Sequence, residues 1–312
     1  MGQTAAAADA PVFELGVIAD AQYGDKEARN GRTYRESLGR LAAAVEHLNE
    51  LPSLKAVLHL GDVIDGREVI EESVEDLGAV LGCLGGLRRR PHEHVLHAIG
   101  NHDLAVPRPQ LAQALDLDAD QTYFELPVAG VEGWRLVMLD TVCVCRQFVD
   151  DGFQRPDPEA DRWLAENADL PNAVEWNGAV GAEQRAWLDG VLAGCDASGE
   201  RAIVFGHNPL LPAASDATHC AWDGPEMLEL LDRHPSVVAY LNGHDHRGGS
   251  GVSPGGVHHV TIAGMVQAPL DSNAYGVLRV YPERLELEGF GTQVESRVMR
   301  CRDATPSASA RL

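Results

Sequence analysis

The chain of 312 residues is long enough for one large α/β domain, and it carries 25 Lys plus Arg against 47 Asp plus Glu, a formal net charge of −22. That balance disfavours nucleic acid polymers and anionic membranes as partners, and 45% apolar residues is the content of a soluble globular chain. Six dispersed cysteines, Cys83, Cys143, Cys145, Cys195, Cys220 and Cys301, form no C-x-x-C pair, which argues against a zinc knuckle and fits a reducing, cytoplasmic setting.

Residues 1–11 are small and polar, lack the basic-then-apolar order of a signal peptide, and are expected to be a disordered N-terminus. Ala6 breaks the myristoylation pattern, and no apolar run reaches membrane-spanning length. Val12 to Ala19 reads as a buried strand, and Tyr34, Leu38, Leu41, Val45 and Leu48 keep helical spacing. Ala56 to Leu60 is a second strand, and Ile70, Val74, Leu77, Leu81 and Leu84 form a second helical stripe. Short strands are expected at Val95 to Ile99, Leu136 to Leu139 and Ala202 to Phe205, with a helix over Gln184 to Leu192. A further helix at Met227 to Leu231 precedes a strand at Val237 to Leu241, and the chain finishes in strands at Val257 to Ile262, Tyr275 to Val280 and Leu285 to Leu287. Between about Arg146 and Asn177 the chain is polar and broken by Pro156, Pro158 and Pro171, which predicts a surface excursion. Alternation followed by an all-strand finish predicts an α/β fold with two sheets packed face to face and helices outside. Residues 12–300 are expected to form a single domain and 301–312 a flexible tail.

Five polar segments each follow an apolar strand: Ala19-Asp20-Ala21-Gln22, Leu60-Gly61-Asp62-Val63-Ile64-Asp65-Gly66, Gly100-Asn101-His102-Asp103, Gly206-His207-Asn208-Pro209 and Gly243-His244-Asp245-His246. Four contain glycine where a tight turn must form. Side chains therefore emerge at strand ends, the crevice in which α/β sheets bind substrates. Carboxylate, imidazole and amide donors suit divalent ions such as Mn²⁺, Fe²⁺ or Zn²⁺. A lone Gly-Asp or histidine is common as a structural feature, but packing alone does not explain five such clusters in this order.

The ordered set resembles the calcineurin-like metallophosphoesterase superfamily, with its D-x-[HQ], GDxxD, GNH[DE], GH and GHxH motifs. Within it the chain looks like the manganese-dependent ADP-ribose/CDP-alcohol diphosphatases. Gln22 stands for the commoner histidine of the first motif, Arg32-Thr33-Tyr34-Arg35-Glu36-Ser37-Leu38 is similar to RYYRxSL, and Asn177-Gly178-Ala179-Val180-Gly181 with Gln184 and Trp187-Leu188 is similar to NGGxxxxQxxWL. Gly248-Gly249, Gly256-Val257-His258-His259-Val260, Ala268-Pro269, Ser272 and Tyr275-Gly276 follow the last strands of that family, so the resemblance covers roughly residues 12–290. Departures are Thr33 in the aromatic pair, His219-Cys220 before the retained Ala221-Trp222, Arg247 for an Asp, and Asn208 for an apolar residue.

The resemblance implies a four-layer αββα sandwich and two divalent ions, manganese foremost, with Fe²⁺ or Zn²⁺ as alternatives. One ion would be held by Asp20, Gln22, Asp62 and His246, and the other by Asp62, Asn101, His207 and His244, with Asp62 bridging. A hydroxide bridging the metals would attack phosphorus in line. His102, outside the ligand set, is expected to stabilise or protonate the leaving oxygen, with Asp103 fixing its orientation. Tyr34, His219, Cys220 and Trp222 are the expected substrate-binding residues. The implied substrates are small phosphorylated molecules, ADP-ribose or CDP-alcohols, cleaved at a phosphoanhydride. A phosphomonoesterase or cyclic-nucleotide phosphodiesterase would use the same metal motifs, and a non-catalytic binding scaffold would be expected to have lost ligands. Among other residues, His92, His94 and His97 read as a loop and strand edge, His59 as either a ligand-orienting or a packing residue, and Asp65 as orienting a ligand beside the metals. His258 and His259, adjacent on a strand, face opposite ways, so at most one points at the site. Trp134 and Trp163 read as packing residues.

Overall fold

The computed structural model describes residues 10–88, 95–148, 154, 155, 157–293 and 296–302. His92, His94, Pro156, residues 1–9 and residues 303–312 lie outside them, and with them most of the expected disordered start and flexible tail. In chain order the elements are β1 (Phe13–Ile18), α1 (Tyr34–Leu48), β2 (Leu54–His59), α2 (Ile70–Leu84), β3 (Val95–His97), α3 (Arg108–Ala114), β4 (Phe124–Pro127) and β5 (Trp134–Met138). Then come β6 (Val144–Cys145), β7 (Gln147–Phe148), β8 (Gln154–Arg155), α4 (Pro158–Glu166), β9 (Gly178–Ala179), α5 (Ala182–Ser198), β10 (Arg201–Phe205) and α6 (Gly224–Arg233). The last strands are β11 (Val237–Asn242), β12 (Gly249–Val252), β13 (His258–Thr261), β14 (Ala274–Tyr281), β15 (Arg284–Gly291) and β16 (Arg297–Arg300).

Strand alternation sorts the side chains of β1. Phe13, Leu15 and Val17 face one way into a fully buried cluster with Leu58, Leu136, Ile203, Phe205, Leu241 and Leu278. That cluster is the seam between two six-stranded sheets, ordered β16-β15-β14-β1-β2-β3 and β12-β13-β11-β10-β5-β4. Ile18 and Val57 face the other way and pack on Leu41, Val45, Leu48, Leu77 and Val80 of α1 and α2. Gly16 lets α1 approach, because a Cβ there would lie 2.8 Å from a Leu48 methyl. On the second sheet Val137, Val204 and Tyr240 pack on Leu188 and Leu192 of α5 and on Met227 and Leu231 of α6. The layers are therefore helix, sheet, sheet, helix, the expected four-layer αββα sandwich.

Parallel pairing of β1 with β2 and β3, and of β5, β10, β11 and β13, brings the C-terminal ends of these strands to one rim. All five polar segments leave strands at that rim. The excursion from Arg146 to Asn177 holds a helix where the prolines predicted only breaks. Pro158 sits in the first turn of α4, where its missing N–H costs nothing, and the Asp157 carboxylate caps the helix by accepting from Glu159 N and Ala160 N. Trp163 on α4 stacks on Trp222 with centroids 5.0 Å apart and planes 10° apart, which fastens the excursion to the loop before α6.

Candidate metal centre

The loop after each rim strand turns sharply, and the backbone records the cost. Asp20 (φ 50°), Gln22 (φ 39°), Asp62 (φ 52°) and His244 (φ 70°) all occupy the left-handed region, which non-glycine residues avoid. Strain of this kind persists only where the surroundings over-determine it, and it concentrates at functional sites. Close packing enforces the turns: a Cβ on Gly61 would lie 2.6 Å from His207 Nδ1, and one on Gly243 2.6 Å from Asp20 Oδ2.

Two groups of donors result. Asp62, His207 and His244 have one donor atom each within 4.8 Å of one another, and so do Asp20, Asp62 and His246. Asp62 belongs to both and is 1% exposed. Asn101 Oδ1 lies 3.2 Å from His207 Nε2, and Gln22 Nε2 donates to Asp62 Oδ2 at 2.7 Å. All seven expected ligands thus converge.

The donor chemistry fits divalent cations. His207 Nδ1 donates to the Leu60 carbonyl at 2.8 Å, so Nε2 is the free ring nitrogen. His244 Nε2 lies 2.8 Å from Asn177 Oδ1, which turns His244 Nδ1 inward to face His207 Nε2 at 3.1 Å. These two nitrogens and Asn101 Oδ1 are acceptors facing acceptors unless a proton or a metal ion lies between them. Gln22 Oε1 is buried without a donor. The electrostatics agree. Burial would lower the His207 pKa, but Asp62 and Asp20 raise it instead, so the cluster draws positive charge. Burial opposes ionisation of Asp62, yet His207, His102 and His244 hold its carboxyl well below the usual range. Burial and then His207 push His244 well below the ordinary histidine value, as a neutral ligand requires.

His102 sits at the edge of this cluster. Its backbone N–H donates to Asp62 Oδ1 at 2.9 Å, and its ring is held by Asp65 rather than by the expected Asp103. His102 Nδ1 is 2.8 Å from the Asp65 carbonyl oxygen and 3.3 Å from Asp65 Oδ1, and Arg32 Nη1 is 3.4 Å from Nε2. Asp103 is fully buried and accepts from Val63 N, Ile64 N and Gly100 N, bracing two site loops. Burial and the charge of Asp62 push its carboxyl above the usual range. Lys26 and Arg32 both pair with Asp65, so this side of the site carries a cationic rim on an acidic protein.

The expected substrate-binding residues divide. His219 is half-buried, with its ring 5.3 Å from that of His244. Tyr34 is 6% exposed beneath Lys26, which sits 4.6 Å from its ring centroid. Cys220 and Trp222 are 4% and 3% exposed, and Trp222 is covered by Trp163 and donates to the Val174 carbonyl. Neither offers an open face: the excursion covers Trp222, and the Cys220 thiol is turned to the Asp216 carbonyl. Trp176, at 45% exposure, is the open tryptophan nearest the site in sequence and immediately precedes Asn177. Periodicity gave no sign of it, because it lies in an irregular segment.

Outside the cluster, His59 is fully buried with its ring 5.5 Å from His97. His259 is buried beside Tyr240, whereas His258 is half-buried and bonds the Arg300 carbonyl. Trp134 packs edge-on against Phe13.

A four-layer sandwich with two donor groups sharing a carboxylate at its strand ends is the arrangement of a metal-dependent phosphoesterase. The Calcineurin-like phosphoesterase family model matches residues 13–248, and the chain belongs to that family. It is 31% identical to the Manganese-dependent ADP-ribose/CDP-alcohol diphosphatase of Bos taurus, over 93% of this chain and 95% of that protein. It is 32% identical to the protein of the same name in Oryza sativa subsp. japonica, over 92% and 94%. The crystal structure of a dimetal phosphatase from Danio rerio superposes with a TM-score of 0.81 at 29% identity, covering 93% of this chain and 99% of that one. Among the described residues no helix is long and apolar enough to cross a membrane.

Proposed function

We propose that this phosphoesterase is a manganese-dependent diphosphatase that cleaves the phosphoanhydride of small nucleoside-diphosphate-linked molecules such as ADP-ribose and CDP-alcohols. The observation that carries the reading is identity of about 30% over nearly the whole chain to diphosphatases so named, in a chain that gathers seven donors around Asp62. Asp20, Gln22, Asp62 and His246 would hold one ion, and Asp62, Asn101, His207 and His244 would hold the other. When bound, two such ions activate water at neutral pH and neutralise charge on the phosphoryl oxygens.

The remaining work belongs to side chains. His102 stabilises or protonates the leaving oxygen from Nε2, and the Asp65 carbonyl and carboxylate beside Nδ1 aim the ring. Arg32, 3.4 Å from Nε2, holds the leaving phosphate close to that nitrogen, with Lys26 adding charge along the same rim. The acidic remainder of the surface favours small substrates over long polyanions. Trp176, rather than the buried Trp222, offers a face on which a base can stack.

Product analysis tests the reading. With Mn²⁺, ADP-ribose is expected to yield AMP and ribose phosphate, and CDP-choline to yield CMP and phosphocholine. Trp176→Ala is expected to raise KM for both while sparing a simple aryl phosphodiester. An enzyme that ignores both diphosphates yet rapidly releases inorganic phosphate from a nucleoside or sugar monophosphate is a phosphomonoesterase, and the proposal fails.

A further inference from the structure

We infer that Asn177 is a positioning residue that fixes the tautomer of His244 and so sets the affinity of the metal position shared by His207 and His244; the inference rests on the metal placement proposed above. The Asn177 amide has no freedom to turn. It is 1% exposed, and its Nδ2 donates to the Asn172 carbonyl at 3.0 Å and to the Thr218 carbonyl at 2.8 Å. Both amide hydrogens are thereby used, so Oδ1 must face His244 Nε2, 2.8 Å away. An amide oxygen only accepts, so Nε2 must carry the hydrogen and Nδ1 must present its lone pair to the cluster. Without that acceptor either ring nitrogen can hold the proton, and the tautomer with Nδ1–H cannot ligate at this position.

A second amide extends the device. Asn208 Nδ2 is 3.4 Å from Asn177 Oδ1, within reach of the second lone pair of that oxygen. Asn208 is fixed in turn: its Oδ1 accepts from Thr141 Oγ1 at 2.9 Å, and its backbone N–H donates to Thr141 Oγ1 at 2.9 Å. Thr141, Asn208, Asn177 and His244 form a chain of buried hydrogen bonds from the end of β5 to the metal cluster, and all four are 7% exposed or less. The carbonyls that hold Asn177 belong to Asn172 in the excursion and Thr218 beside His219. The state of those two segments is therefore coupled to the ring of one ligand. Partners of this kind, which orient a metal-bound histidine, are typically worth 10–100-fold in metal affinity.

The test is Asn177→Leu, which is close in volume and lacks the acceptor, read by Mn²⁺ titration and by ¹⁵N NMR of the histidine rings in Zn²⁺-loaded protein. Wild-type protein is expected to bind two Mn²⁺ and to show His244 as the Nε2–H tautomer, its signals assigned by their loss in His244→Gln. Asn177→Leu is expected to bind one ion as wild type does and the other roughly 10–100-fold more weakly, and Asn208→Leu to show a smaller loss in the same direction. In metal-free Asn177→Leu the His244 signals are expected to move toward a mixture of tautomers, which a purely structural role would not produce. If Asn177→Leu does not fold, the wild-type spectrum still decides, because Nδ1–H in wild type overturns the inference. Two ions bound by Asn177→Leu with wild-type affinity and an unchanged tautomer overturn it as well. Wild-type protein that takes fewer than two ions overturns the metal placement itself.

Discussion

Replacing Asp62 by Asn separates a metal ligand from a structural carboxylate, because only a ligand makes the loss of stability depend on metal. Asp62 Oδ1 accepts from His102 N at 2.9 Å and Oδ2 accepts from Gln22 Nε2 at 2.7 Å. An Asn side chain can keep its oxygen toward His102 and turn its NH₂ toward Gln22. Rotation of the Gln22 amide then lets Oε1, buried without a donor, accept. The hydrogen bonds of the side chain can thus be remade, but the charge that His207, His102 and His244 favour is lost, so Asp62→Asn in EDTA is expected to unfold below the wild-type temperature. With metal a second loss is added. Ions at about 1,000 times their Kd stabilise a protein by about 4.1 kcal/mol per site, and a hundred-fold loss of affinity removes about 2.7 kcal/mol of that. In a chain of this length 1 kcal/mol moves Tm by roughly 2 °C, so the Mn²⁺-induced rise is expected to shrink by roughly 5 °C for each site weakened. Differential scanning calorimetry in EDTA and across a Mn²⁺ series measures both halves, with hydrolysis assayed in parallel and expected to be abolished. A variant that is destabilised in EDTA yet keeps the full Mn²⁺ shift would show Asp62 to be a structural residue and refute the reasoning.

His102→Ala is expected to lower kcat by roughly 10²–10⁴-fold with both ions retained by metal analysis, and to cost less on p-nitrophenyl esters, whose leaving group needs no proton. Gly61→Ala places a Cβ against His207 at a φ of +88°, so both a loss of stability of about 1–3 kcal/mol and weaker Mn²⁺ binding are expected in calorimetry and titration. Burial lowers His97 to about 4, so the native state keeps it neutral while the unfolded chain protonates it below about 6.5. Its contribution to metal-free stability is present in full above pH 6.5 and is lost as the pH falls toward 4, a change of about 3 kcal/mol. His97→Leu is expected to flatten that slope in urea melts recorded from pH 7 to 4.

The layers were legible because their signals are local. The buried-strand run of Val12 to Ala19 and helical spacing in Tyr34–Leu48 predict the elements observed, and strand-end glycines mark the rim. Elements with weak periodicity were not legible: β12 is only Gly-Ser-Gly-Val, and Pro158 reads as a breaker although it opens α4. At the site, donor identity follows from residue type, but partnership does not. Asp103 adjoins His102 in sequence and turns instead to three backbone amides, while Asp65 reaches the ring with a main-chain oxygen that no side-chain pattern reports. Trp222 reads in the sequence as a substrate-binding residue, whereas the ring that covers it, Trp163, lies 59 residues away in a segment without periodicity. Asn177 belongs to a recognisable motif, yet its bond to His244 spans 67 residues and exists only in the folded chain.

The central claim is that Asp62 lies between two metal positions. Anomalous diffraction at the manganese edge from crystals soaked in Mn²⁺ measures this directly. Two peaks are predicted about 3.5–4 Å apart, one beside Asp20, Gln22 and His246 and the other beside Asn101, His207 and His244, with the Asp62 carboxylate between them. A single peak, or two peaks that do not share Asp62, would contradict the account.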